Sequence, residues 1–320
     1  MDEDVEKRIR AIRDDRAHGA SWLAVSALDV LKAIAEDAPA DSSTQLLSIL
    51  RDKAKELIEV RPSMAPITNL VARLIQEAEA AGSIPLDKLR RTVTEKAVEI
   101  ANESRISVNR AAENASKLIE ADGTFITCSF SSTVFETLTL RPDIRVIVAE
   151  SRPLFEGRLL AQRLAEHGIR ATLITDAAIA AFVNDADAAV VGADSVLADG
   201  SIVNKVGTRP LALAADDAGV RFYAATETSK FDARSLMGRA PVLEEGDPHE
   251  VAEVIEGVEV RNPYFEVTPA RLITAIVTEL GQMDVHTIRS RMEEMSRYVE
   301  PLLARGKTEA TRTSSSSGGR

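Results

Sequence analysis

The chain has 320 residues, 45 % hydrophobic and 28 % charged, and a formal net charge of −11; that length supports two domains with a sizeable core, and that charge argues against direct, non-specific binding to nucleic acid, whose phosphates need clustered Lys and Arg. A single cysteine, Cys128, excludes an intrachain disulfide framework and fits a reducing cytoplasm. No stretch approaches the roughly 18 to 20 apolar residues of a membrane span, and four scattered histidines (His18, His167, His249, His286) beside one cysteine argue against a structural metal site.

Met1 to Arg16 alternates acids and bases without an apolar run, so it is not expected to be a signal peptide. Residues 1–121 are predicted to form a helical N-terminal domain. Ala24, Leu28, Leu31 and Ile34 recur at helical spacing, as do Leu46, Leu47, Leu50, Leu57 and Ile58. Pro66 suits the first turn of a helix carrying Leu70, Leu74 and Ile75. From Leu86 to Glu120 there is no Gly or Pro, and Leu89, Val93, Val98, Ile106 and Ile119 are expected to pack in the core or between helices. With aromatics at only 4 %, Ala, Val, Ile and Leu must carry that core.

After Asp122-Gly123 the pattern changes. Five short β-rich runs are predicted, at 124–127, 145–149, 171–175, 188–191 and 221–225, with helices such as 155–167 and 208–218 between most of them. Continuous apolar strands separated by helices imply a buried parallel sheet with right-handed crossovers. The fold class is therefore α/β, a helical domain followed by a Rossmann-like, doubly wound parallel-sheet domain over 122–306. Asp199-Gly200 within 197–203 predicts a small hairpin beside the fourth strand. The Ser/Thr/Gly-rich tail, 307–320, is expected to lack regular structure.

Ligands of open parallel sheets bind beyond the carboxyl ends of the strands. Here those ends carry Cys128-Ser129-Phe130-Ser131-Ser132, Glu150-Ser151-Arg152-Pro153, Asp176, Gly192-Ala193-Asp194 and Thr226-Glu227-Thr228-Ser229-Lys230. Neither a dinucleotide glycine fingerprint nor a Walker A loop is present, so no nucleotide cofactor is implied. Helix starts at Ser131 and at Gly207-Thr208 suit an anion, with Arg152, Arg158, Lys205 and Lys230 supplying positive charge at the same rim. Asp194 follows an apolar strand and a tight Gly-Ala step; its carboxylate either serves as a general acid or base with a shifted pKa, or simply caps a turn.

Several motifs, in this order, resemble one family. Val191-Gly192-Ala193-Asp194 through Asn204-Lys205-Val206-Gly207-Thr208 is similar to the signature shared by methylthioribose-1-phosphate isomerase, archaeal ribose-1,5-bisphosphate isomerase and the α, β and δ subunits of initiation factor 2B. Arg61-Pro62-Ser63, Glu150-Ser151-Arg152-Pro153 with Gly157-Arg158, Thr226 to Phe231 and Asn262 to Pro269 resemble further segments of that family. The resemblance covers nearly the whole chain except the tail. It implies an aldose–ketose isomerase that needs no cofactor and no metal, with Asp194 and a cysteine moving protons. Its substrate would be ribose 1,5-bisphosphate or another phosphorylated pentose.

The implied substrate contacts are Arg61, Arg152, Arg158, Ser131, Asn204, Lys205 and Lys230, with His18-Gly19-Ala20 standing where the isomerases carry Arg-Gly-Ala. Those isomerases read Thr-His-Cys after the first strand, whereas this chain reads Thr127-Cys128-Ser129. An ungapped match puts Ser129 at the catalytic position; a loop shifted by one residue puts Cys128 there. The second function implied is a regulatory protein like the initiation factor 2B subunits, binding a nucleotide or sugar phosphate without turnover and contacting initiation factor 2. In either case the resemblance implies a homodimer or a higher homo-oligomer, up to a hexamer.

Overall fold

The computed structural model describes residues 2–253 and 255–304; the tail at 307–320 lies outside them. Five helices come first: α1 (Asp2–Asp14), α2 (Ala20–Asp37), α3 (Ser43–Val60), α4 (Ala65–Ala80) and α5 (Leu86–Ser116). Their starts follow local chemistry. Ser42 caps α3 by accepting the Gln45 N–H at 3.2 Å, and Pro66 lies in the first turn of α4. Leu23, Leu28, Leu31, Leu46, Leu50, Leu57 and Ile67 are fully buried between these helices. Val98 and Ile106 correct the expectation for α5: they are 45 % and 49 % exposed. Leu89, Val93, Ala97, Ile100 and Ala101 already fill the inward stripe of α5, which leaves these two on its outer side.

The second half places β1 (Thr124–Cys128), α6 (Ser132–Thr139), β2 (Arg145–Ala149), α7 (Glu156–Glu166), β3 (Arg170–Ile174), the short α8 (Ile179–Phe182), β4 (Ala188–Val191), β5 (Ser195–Val196), β6 (Ile202–Lys205), α9 (Thr208–Asp217), β7 (Arg221–Ala225), β8 (Phe265–Thr268), β9 (Ala275–Thr278), β10 (Gly281–Met283) and α10 (Val285–Leu303). The main sheet has seven strands in the order β10-β9-β7-β4-β1-β2-β3, parallel except for β10. All five predicted strands lie in it, four within their expected bounds or one residue longer and β3 one residue earlier. Strands β1, β2, β4 and β7 are buried beyond their first residue, as continuous apolar runs require. β3 differs: it forms one edge of the sheet, and its Leu173 is 47 % exposed.

The hairpin pairs Ser195 with Val203 and Val196 with Ile202, around Asp199-Gly200. It does not lie beside β4 in the main sheet. β6 recruits β8 on its other side, forming a separate antiparallel sheet in the order β5-β6-β8. Residues Leu197, Val203, Tyr264 and Phe265 from this region share the apolar core of the N-terminal helices. The small sheet therefore joins the two halves over the carboxyl end of the main sheet.

Candidate active site

The strand order β3-β2-β1-β4-β7 reverses direction between β1 and β4, the switch point at which a doubly wound sheet opens a crevice. Two adjoining clefts lie there, with about 530 and 410 Å3 of empty space that includes open solvent. Gly19, Ser129, Phe130, Asp194 and Lys205 line both. Ala20, Ser21, Cys128, Ser131, Asn204 and Lys230 belong to the inner one, and His18, Arg61, Glu156 and Tyr264 to the outer one.

Asp194 is delivered by the turn from β4 to β5, where its N–H donates to the Val203 carbonyl at 2.8 Å. Gly192, two residues before, is required by close approach, because a Cβ there would collide with the Ser131 side chain. Burial pushes the Asp194 carboxyl up to about 6, against the opposing pull of Lys230, Arg61 and Lys205. Each of those cations already has a glutamate partner. Lys205 Nζ meets Glu156 at 2.7 Å, Lys230 Nζ meets Glu227 at 3.2 Å, and Arg61 Nε meets Glu244 at 2.8 Å. Asp194 thus shares their field without a dedicated partner among the described residues, an arrangement that leaves its proton exchangeable near neutrality.

Cys128 closes β1. It is buried, its Sγ lies 3.7 Å from Thr208 Oγ1, and burial pushes its thiol up to about 12. Ser129 follows with a left-handed backbone (φ 61°), and its N–H donates to Ser151 Oγ at 2.6 Å. Ser131 caps α6 by accepting the Val134 N–H at 3.4 Å. Asn204, on β6, donates to Thr208 Oγ1 at 2.9 Å, and the Lys205 ammonium stands 4.7 Å from the centre of the Tyr264 ring.

The start of α2 also borders the inner cavity. Gly19 caps that helix without a side-chain hydrogen bond, and Gly19, Ala20 and Ser21 all line the inner cavity. A helix start of this kind offers backbone N–H groups and a positive dipole end. His18, beside it, stacks on Trp22 and bonds Asp15 at 2.8 Å. The Gly207-Thr208 start, suited to phosphate by sequence, is instead filled from within: Glu266 accepts the N–H groups of Gly207 and Arg209 at 2.7 and 2.9 Å.

Arg152 and Arg158 are not brought to either cavity. Arg158 pairs with Glu150 at 2.6 Å and lies over the Phe155 ring, while Arg152 donates to the Val251 carbonyl at 3.0 Å. Sequence reasoning also missed three residues. Glu156 holds Lys205 with one oxygen, and its other oxygen is buried without a partner. Glu227 is fully buried and gathers Ser21 Oγ at 3.0 Å, Thr133 Oγ1 and Lys230, so it joins α2, α6 and the turn after β7. Tyr264 donates to Glu250 and roofs Lys205. Each lies inside or next to a motif quoted above; apart from Lys230, which is close to Glu227 in the chain, the partners that define these roles come from other segments. Among the described residues no group of three or more His, Cys, Asp or Glu is arranged to hold a metal ion.

The profile of the Initiation factor 2 subunit family matches residues 16–285. The chain is 35 % identical over 286 residues to the ribose 1,5-bisphosphate isomerase of Archaeoglobus fulgidus, covering 87 % of this chain and 89 % of that one. The crystal structure of the translation initiation factor eIF-2B of Pyrococcus horikoshii OT3 superposes with a TM-score of 0.77 at 34 % identity, covering 88 % of this chain and 97 % of that one. The 5-methylthioribose 1-phosphate isomerase of the same organism gives 0.71 at 25 % identity, covering 92 % and 87 %. The chain belongs to the initiation factor 2 subunit family.

Proposed function

We propose that this member of the family is a sugar-phosphate aldose–ketose isomerase whose substrate is ribose 1,5-bisphosphate, converted to ribulose 1,5-bisphosphate. The observation that carries the reading is Asp194. Its carboxyl, pushed up to about 6, faces a crevice that also holds Lys205, Lys230 and Arg61. A structural acid among three cations would ordinarily be held low; one balanced near neutrality suits proton exchange. Sequence similarity to the Archaeoglobus isomerase supports the choice of sugar.

The chemistry needs four proton movements. One proton goes onto the ring oxygen as its bond to carbon 1 breaks, and one leaves carbon 2 to form an enol. One then leaves the oxygen on carbon 2 as the ketone forms, and one is added to carbon 1. Gains and losses cancel, so no oxidant or reductant enters. Asp194 serves the oxygens, donating when protonated and accepting when ionised. Cys128 serves the carbons, because a thiol is intrinsically far more acidic than the Ser129 hydroxyl and lines the inner cavity with Asp194. The α2 start, Arg61, Lys205 and Lys230 hold the phosphates. The protein acts as a homo-oligomer.

The test is turnover of purified protein on ribose 1,5-bisphosphate, read as ribulose 1,5-bisphosphate formed, at low and high salt. Its absence under both conditions overturns the isomerase reading. A second reading has its own observation: burial holds the Cys128 thiol at about 12, where it carries no charge at neutral pH. That favours a family member that binds a sugar phosphate or nucleotide without turnover and contacts initiation factor 2. Saturable binding of ribose 1,5-bisphosphate without conversion distinguishes it.

A further inference from the structure

Asp176 stands at the carboxyl end of β3 and lines neither cavity. Its two oxygens accept two successive backbone N–H groups, Ser151 at 2.8 Å and Arg152 at 2.7 Å. Ser151 needs that support: it is non-glycine with a left-handed backbone, φ 62°, a conformation that costs about 1 kcal/mol or more. A carboxylate bridging consecutive N–H groups is the usual complement of such a turn.

Ser151 in turn reaches the next strand. Its side chain is buried, its hydroxyl donates to the Ala149 carbonyl at 3.2 Å, and its oxygen accepts the Ser129 N–H at 2.6 Å. Ser129 is itself left-handed, at φ 61°, and borders both cavities directly after Cys128. One relay therefore crosses the carboxyl ends of β3, β2 and β1 in spatial order: Asp176 fixes Ser151, and Ser151 fixes the peptide joining Cys128 to Ser129. The groups proposed above to hold the phosphates come from elsewhere, namely the start of α2, Arg61 before α4, Lys205 on β6 and Lys230 after β7. The relay thus bears on the orientation of the reacting segment and not on the capture of phosphate.

We infer that Asp176 is a positioning residue of the active site, acting through Ser151 to hold the Cys128–Ser129 peptide in its left-handed turn. Only the kinetic half of this inference rests on the isomerase reading. Asp176→Asn is the informative change, because an amide offers one acceptor oxygen where two are used and turns an N–H donor toward the second backbone N–H.

The experiment follows full-length protein labelled with 15N-serine, the Ser129 amide being assigned by its loss in Ser129→Ala. In D176N and in Ser151→Ala the Ser129 amide is expected to exchange with solvent about tenfold faster or more. Turnover of ribose 1,5-bisphosphate is expected to drop about tenfold or more in kcat, with KM within about threefold. The double variant is expected to lose no more than the worse single one. Wild-type exchange at Ser129 in D176N overturns the inference, as does a loosened amide with unchanged kcat in an active enzyme, or additive losses in the double variant. If the wild type shows no turnover, the isomerase reading fails alone and the exchange measurement decides the relay.

Discussion

Replacing Asp194 by asparagine is expected to raise stability above pH 7 while abolishing turnover. The carboxyl moves from a reference of 3.8 to about 6 on folding, because burial disfavours the charged form. The sign follows from that direction. A raised folded pKa means the folded state holds the proton more tightly, so the contribution of this group is fully present below about pH 3.8 and is lost as pH rises to about 6. The move from 3.8 to about 6 corresponds to about 3 kcal/mol, an upper bound because the carboxylate still touches the solvent of the crevice. Roughly half of that loss falls between pH 5 and pH 8. Asparagine keeps the shape and carries no charge. Urea unfolding of both proteins is expected to show D194N ahead by about 1 to 3 kcal/mol at pH 8, with the gap smaller at pH 5 and flat above pH 7. The kcat of D194N is expected to fall about 100-fold or more. A variant less stable than wild type at pH 8, or a gap that ignores pH, refutes the claim that Asp194 is held as an unpaired acid in a partly dry site.

Other substitutions probe the surrounding frame. Glu227→Gln keeps the shape but removes the charge facing the buried Lys230 and weakens the junction with Ser21 and Thr133; urea unfolding is expected to show a loss of about 2 to 4 kcal/mol. Gly157→Ala places a Cβ against the Ala149 carbonyl, which must push α7 and Glu156 away from Lys205; thermal melting should reveal a destabilisation of about 3 kcal/mol or more, or failure to fold. Lys230→Met and Arg158→Ala separate the crevice from its rim. By calorimetry the first is expected to weaken ribose 1,5-bisphosphate binding about 100-fold and the second less than about threefold, since Arg158 is spent on Glu150 outside both cavities.

Much of the architecture was legible because it rests on local chemistry. An apolar run such as Arg145 to Ala149, bounded by turn residues, can form little other than a buried strand, and the helical stripe of Ala24, Leu28, Leu31 and Ile34 can bury in only one way. Val98 and Ile106 escaped this logic, because periodicity identifies an apolar position on a helix but not whether a neighbour covers it. The hairpin at Asp199-Gly200 was legible as a turn, while β8, the partner of β6, begins at Phe265, 60 residues after β6 ends at Lys205, a separation at which pairing leaves no local trace.

The site divides in the same way. The sequence determined which polar residues stand at the carboxyl ends of the parallel strands, and so placed Ser129, Asp194 and Lys230 at the crevice before any geometry was known. Only the tertiary structure decided their charge partners: Glu156 on Lys205, Glu227 on Lys230, Glu244 on Arg61, with Asp194 left over. It also turned Arg152 and Arg158 outward and filled the α9 start with Glu266. The physical reason is that backbone hydrogen bonding and apolar periodicity are set by near neighbours. The protonation of a buried acid is set by burial and by every charge within a few ångströms, and those charges meet only when the chain has folded.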